Sequence, residues 1–139
     1  VEVTESALAD NLDSLHHDLD RLKELGFPLW LDDFGSGYSS LNVLKDFSFD
    51  VMKIDMVFLS SFYEKGDKTK AVLKNVVSMA NDLGMHTLTE GVETVDQADY
   101  LKSIGCERLQ GYLFGKPMPL NEALIKIKAG TLPVSEEYL

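Results

Sequence analysis

The chain has 139 residues, of which 45% are hydrophobic and 26% charged, with a formal net charge of −10. That is enough for one soluble domain with a real core. A single cysteine, Cys106, excludes an intrachain disulfide framework or a cysteine-based zinc site, and only two arginines in so acidic a chain argue against binding a nucleic-acid duplex. No apolar run reaches membrane-spanning length and no basic-then-apolar leader opens the chain, so this segment reads as cytoplasmic, with any membrane anchor belonging to upstream parts of a parent protein.

In chain order, "VEV" at the start reads as a short strand. Asn11 to Leu25 reads as a helix, with Leu12, Leu15, Leu19 and Leu22 on one stripe and Gly26 as its stop. "PLWL", opened by Pro28, is a strand ending at Asp32. "YSSLNVLKDF" is a short helix and "DVMKID" the next strand. Lys70 to Leu83 is a helix carrying Leu73, Val76, Val77 and Ala80 and closed by Gly84. "HTLT" is a strand ending at Glu90. Thr94 to Ile104 is a helix with Val95, Ala98, Leu101 and Ile104 inward, closed by Gly105. "RLQGY" is the fifth strand and Leu120 to Ala129 the last helix. Strands alternating with helices predict an α/β fold, a parallel sheet with helices outside it. Residues 1–130 read as one domain and 131–139 as a loose tail.

The polar residues at the strand ends carry the chemistry. Glu2 lies in the first strand, Asp32 and Asp33 end the second, Lys53 is near the end of the third, Glu90 ends the fourth and Gln110 lies in the fifth. In parallel α/β folds those ends share one rim, where active sites are built. Side-by-side carboxylates repel by about 4 kcal/mol at 4 Å for an effective dielectric near 20. A shared proton, a basic partner or a metal can offset that. Two cations about 3.5–4 Å apart suit the pattern and would serve phosphate-ester hydrolysis. Oxygen ligands without cysteine point to Mg²⁺ or Mn²⁺.

Singly, these features have plainer readings. "GSGYSS" lacks the third glycine of a dinucleotide fingerprint and the lysine of a P-loop. Lys53 alone would be an ion-pair partner, and its ordinary pKa suits orienting a water better than acting as a base. His16, His17 and His86 read as structural, Cys106 as a small buried residue, and Trp30 and Phe34 as packing.

Together, "VEVTES", "DDFGSGYSS", "KID", "EGVE" and "QGYLFGKPMP", in this order and spacing, resemble the second half of an EAL domain, the bacterial phosphodiesterases of cyclic di-GMP second-messenger signalling. The resemblance runs from Glu2 to Pro119. It implies a TIM-type (β/α) barrel, of which this chain supplies the C-terminal five βα units of eight, two Mg²⁺ or Mn²⁺ ions, and hydrolysis of cyclic di-GMP to linear pGpG. It also implies that Glu2, Asp32, Asp33 and Glu90 are metal ligands and that Lys53, Glu90 and Gln110 serve catalysis, Lys53 by holding the attacking water. Gln110, Gly111 and Pro117 would contact substrate. Glu5 and the loop containing Gly35, Gly37, Tyr38 and Ser39 would organise the metal site and a homodimer, with Glu93 supporting the site. The parent would carry an upstream sensor or GGDEF-type domain. The letters Glu122-Ala123-Leu124 fall in the last helix and are not the family's signature, which belongs to an early strand. Without the first three strands, the isolated fragment is expected to be inactive and to self-associate. The alternative is a non-catalytic module for cyclic di-GMP binding or dimerisation.

Overall fold

The computed structural model describes residues 1–4, 7, 12–35, 41–60, 62–63 and 66–131. Five strands, β1 (Glu2–Thr4), β2 (Trp30–Phe34), β3 (Val51–Ile54), β4 (His86–Thr89) and β5 (Arg108–Leu109), form one sheet in sequence order. Every neighbouring pair is parallel. The described helices are α1 (Leu12–Glu24), α2 (Leu41–Asp46), α3 (Val57–Ser60), α4 (Gly66–Asp82), α5 (Val95–Ser103) and α6 (Leu120–Lys128). Successive parallel strands with a helix in each crossover make a partial (β/α) barrel. No helix among the described residues is long and apolar enough to cross a membrane.

The centre of the core is β3. All four of its residues are buried, Met52 and Ile54 completely, as for a parallel strand covered on both faces. From α4, Leu73, Val77 and Ala80 enter the same core at helical spacing with no exposed surface, and α5 adds Ala98 and Leu101. The stripe predicted for α5 holds only in part. Val95, the first residue of the helix, is exposed, because the core lies under the following turns.

Four helix ends share one device. Gly26, Gly84, Gly105 and Gly130 adopt positive φ. Each donates its N–H three residues back, and the following residue donates five back, as in Cys106 N–H to the Leu101 carbonyl at 3.0 Å. This Schellman closure is open to glycine without a Cβ penalty. At its other end, α5 begins with a capping box. Thr94 Oγ1 accepts from the Gln97 N–H at 3.3 Å, and Gln97 Oε1 accepts from the Thr94 N–H at 3.1 Å. Such a cap contributes about 1 kcal/mol.

Beyond one-residue differences, boundaries depart from the sequence expectation in several places. The second strand, expected to end at Asp32, runs Trp30–Phe34, because pairing with the third strand resumes at Phe34. The helix expected from Lys70 starts at Gly66, since its polar first turn carries no apolar stripe for periodicity to detect. A single turn, α3, follows β3; Asp55 Oδ1 starts it by accepting from the Val57 N–H at 2.6 Å. The fifth strand is only two residues long. Gln110 still donates its N–H to Thr89 O at 2.9 Å, but the chain then turns at Gly111. The expected loose tail lies outside the described residues beyond Thr131.

Candidate functional site

The site sits where β1 to β4 end. Two neighbouring residues of a regular strand point to opposite faces; here the strand is not regular. Leu31 pairs with Met52 and Phe34 with Ile54, so Asp32 and Asp33 together stand opposite Lys53 alone. This is a β-bulge. Asp33 takes φ of 57°, a left-handed conformation that aspartate tolerates better than most residues. Its N–H donates to Asp32 Oδ1 at 3.0 Å.

Lys53 is the hub. Its side chain is only 11% exposed, and Nζ lies 2.8 Å from Asp32 Oδ1, 3.0 Å from Glu90 Oε1 and 3.5 Å from Glu2 Oε2. Burial by itself would lower the ammonium's pKa; hydrogen bonds to Asp32 and Glu90, and their charges, outweigh burial and hold it above the usual lysine range. Glu90 follows β4 and is set by its own N–H, which donates to Ile54 O at 3.0 Å.

Asp33 stands apart from these three ion pairs. Its carboxyl is pushed up, first by desolvation and then by the charges of Asp32, Asp55 and Glu90, against the lowering pull of Lys53. Asp55 belongs with the site and was missed by the sequence reading, which took it as a strand end. The signal was its position: two residues after Lys53 on an extended segment places it on the same face.

Around this centre, Gln110 contributes its backbone carbonyl to the Val92 N–H at 3.0 Å. It also lines a cavity of about 410 Å³ with Gly111, Tyr112, Phe114, Lys116 and Pro117. Gly111 lies against the Val92 backbone; a Cβ there would overlap Val92 O and N and stand 2.7 Å from its carbonyl carbon. Gly35, at φ +96°, leaves room for the Phe58 ring, which a Cβ would overlap. Glu93 is exposed, its N–H donating to Gln97 Oε1 at 2.9 Å, and it joins none of the Lys53 ion pairs. Glu5, Gly37, Tyr38 and Ser39 lie outside the described residues.

His86 is away from this rim, its Nδ1 2.6 Å from Glu107 Oε2. His16 stacks on Phe47. Cys106 is buried with Sγ 3.2 Å from Thr89 Oγ1.

Among the described residues no group of three or more His, Cys, Asp or Glu side chains closes to metal-holding distance. The donor chemistry nevertheless fits hard cations. Glu2, Asp32 and Glu90 pair with Lys53, and Asp33 with the nearby charge of Asp55 adds two more carboxylates, five against one ammonium and a formal excess of four negative charges. Two divalent cations would balance it.

Comparison with known proteins bears on this arrangement. A model of the EAL domain family matches residues 1–117. The chain is 41% identical over 120 residues to the cyclic di-GMP phosphodiesterase NbdA of Pseudomonas aeruginosa, an alignment covering 86% of this chain and 15% of that protein. It is 41% identical over 118 residues to the cyclic di-GMP phosphodiesterase RocR of the same organism, covering 85% of this chain and 30% of that protein. Among solved structures, a manganese and cyclic di-GMP complex of Klebsiella pneumoniae BlrP1 matches with a TM-score of 0.77 at 35% identity, over 84% of this chain and 29% of that one. The chain therefore spans less than a third of the length of each of these relatives.

Proposed function

Since this chain belongs to the EAL domain family, we propose that it is the C-terminal part of a phosphodiesterase domain that hydrolyses cyclic di-GMP to linear pGpG with two Mg²⁺ or Mn²⁺ ions. The observation that carries this reading is the convergence of Glu2 on β1, Asp32 within β2 and Glu90 just after β4 on one buried ammonium. A structural ion pair needs one acid; a rim of acids built around a single base suits cationic chemistry on a phosphate ester.

In this reading Glu2, Asp32, Asp33 and Glu90 hold the cations, which when bound neutralise phosphate charge and supply a nucleophile at neutral pH. Lys53 donates hydrogen bonds to the attacking water and orients it. Gln110, with Gly111 and Pro117, receives the substrate in the cavity beside β5. Gly35, Gly37, Tyr38 and Ser39, together with Glu5 and Glu93, shape the loop side of the site. The working protein is a cytoplasmic homodimer with an upstream sensor or GGDEF-type domain.

A second reading, a non-catalytic cyclic di-GMP-binding or dimerisation module, draws on one observation. In the described residues the carboxylates close on Lys53 rather than on each other.

Activity of an intact EAL protein containing this sequence separates the two. Asp32→Asn removes one charge while keeping the shape. It should cut hydrolysis of cyclic di-GMP by more than the ten- to hundredfold (roughly) typical of outer-shell changes. Near-normal activity with Mg²⁺ would sink the cation assignment.

A further inference from the structure

We propose that Lys53 is the site's built-in counter-cation, competing with the first divalent ion for Asp32 and Glu90, so that loading the site releases its ammonium. This rests on the two-cation reading above and deepens it.

The geometry supports competition rather than simple co-existence. The ammonium bridges Asp32 Oδ1 and Glu90 Oε1 at 2.8 and 3.0 Å, charge-assisted distances. It is buried, so the pairs are little screened by water. Asp32 Oδ1 is held further by the Asp33 N–H, which fixes the carboxylate's orientation. A cation shared by Asp32 and Glu90 must draw on oxygens that Lys53 already uses. Glu2, at 3.5 Å and with a half-exposed side chain, is the weakest of the three ties. The single ammonium thus offsets part of the charge that Glu2, Asp32 and Glu90 share, which lowers the cost of holding those acids together.

Two consequences follow. Lys53 lowers metal affinity by using the oxygens that a cation would share. Its release by the metal also hands a freed donor to the water and substrate oxygens, so metal loading and placement of Lys53 are linked, each biasing the other.

The test is Mn²⁺ binding by an intact EAL protein containing this sequence at fixed pH and ionic strength, followed by calorimetry, with Lys53→Met and Lys53→Gln. The glutamine keeps a bridging donor without the charge, so it remains readable if the methionine variant fails to fold. The expected result is at least a roughly tenfold lower Kd for the first Mn²⁺, about 1.4 kcal/mol. A larger Mn²⁺-induced rise in Tm than in the unmutated protein should accompany it. In the unmutated protein, Mg²⁺ should also abolish the NMR signature of a proton-exchange-protected Lys53 ammonium. Unchanged or weaker Mn²⁺ affinity in the folded variants, or an ammonium that stays protected at Mg²⁺ saturation, overturns this inference while the metal-dependent reading stands. No Mn²⁺ binding by any form at millimolar concentration overturns both.

Discussion

Replacing Gly111 with alanine tests the closest backbone approach at the site. The added Cβ would overlap Val92 O and N and lie 2.7 Å from its carbonyl carbon. Carbon atoms in good contact stand about 3.5–4.0 Å apart, so at least ~1 Å must open up. Neither side can swing away as a flexible side chain would, because the neighbour is backbone. Val92 is also fully buried, and two hydrogen bonds tie the segments, Val92 N–H to Gln110 O and Leu113 N–H to Val92 O, each 3.0 Å. Overpacking costs about 1–3 kcal/mol. Weakening the two hydrogen bonds adds about 0.5–1.5 kcal/mol each, for a total near 2–6 kcal/mol. At about 3–4 °C per kcal/mol for a chain of this size, Tm should fall by roughly 6–24 °C. Urea unfolding followed by circular dichroism measures it. A loss below about 0.5 kcal/mol, the scale of a neutral surface change, would refute the close-approach reasoning.

In an intact EAL protein containing this sequence, Lys53→Ala should lower kcat far more than it weakens cyclic di-GMP binding if Lys53 orients the water as proposed, because such a group acts mainly in the transition state; equal losses in steady-state kinetics and in equilibrium binding would make it a phosphate anchor instead. Tyr100 donates its hydroxyl to Lys70 O at 2.6 Å, and burial raises its pKa. Its contribution to stability is therefore complete below the unfolded tyrosine value near 10 and is lost as pH rises through the folded value. Tyr100→Phe should cost about 0.5–1.5 kcal/mol at pH 8, with the gap narrowing by pH 11; a gap constant across that range in chemical unfolding would contradict the burial argument. Residues 1–139 purified alone should self-associate through the β1 and β5 edges. A monomer at tens of micromolar in sedimentation, unfolding cooperatively, would show that five strands suffice.

The order of strands and helices was legible in the sequence because it is written in short-range periodicity. Leu73, Val77 and Ala80 recur at helical spacing, Gly84 and Gly105 sit where the Schellman closures need them, and the run around Met52 is as apolar as a doubly covered strand requires. Asp32 and Glu90 could be singled out because an apolar run ends just before each, whereas Glu2, inside "VEV", has no such mark. Periodicity failed where it had no apolar residues to act on: the polar first turn of α4 and the single turn of α3. What the site does with its acids was decided by tertiary structure. A one-residue offset between β2 and β3, strands about 20 residues apart in sequence, sets Asp32 and Asp33 opposite Lys53 and puts Asp33 in the left-handed region. That offset depends on which residues pair across the sheet, and pairing is set by packing on both faces rather than by either strand alone. The same packing brings Glu2, Asp32 and Glu90, spread over nearly 90 positions, onto one ammonium, and adds the charge of Asp55, which in the sequence is only the last letter of a strand.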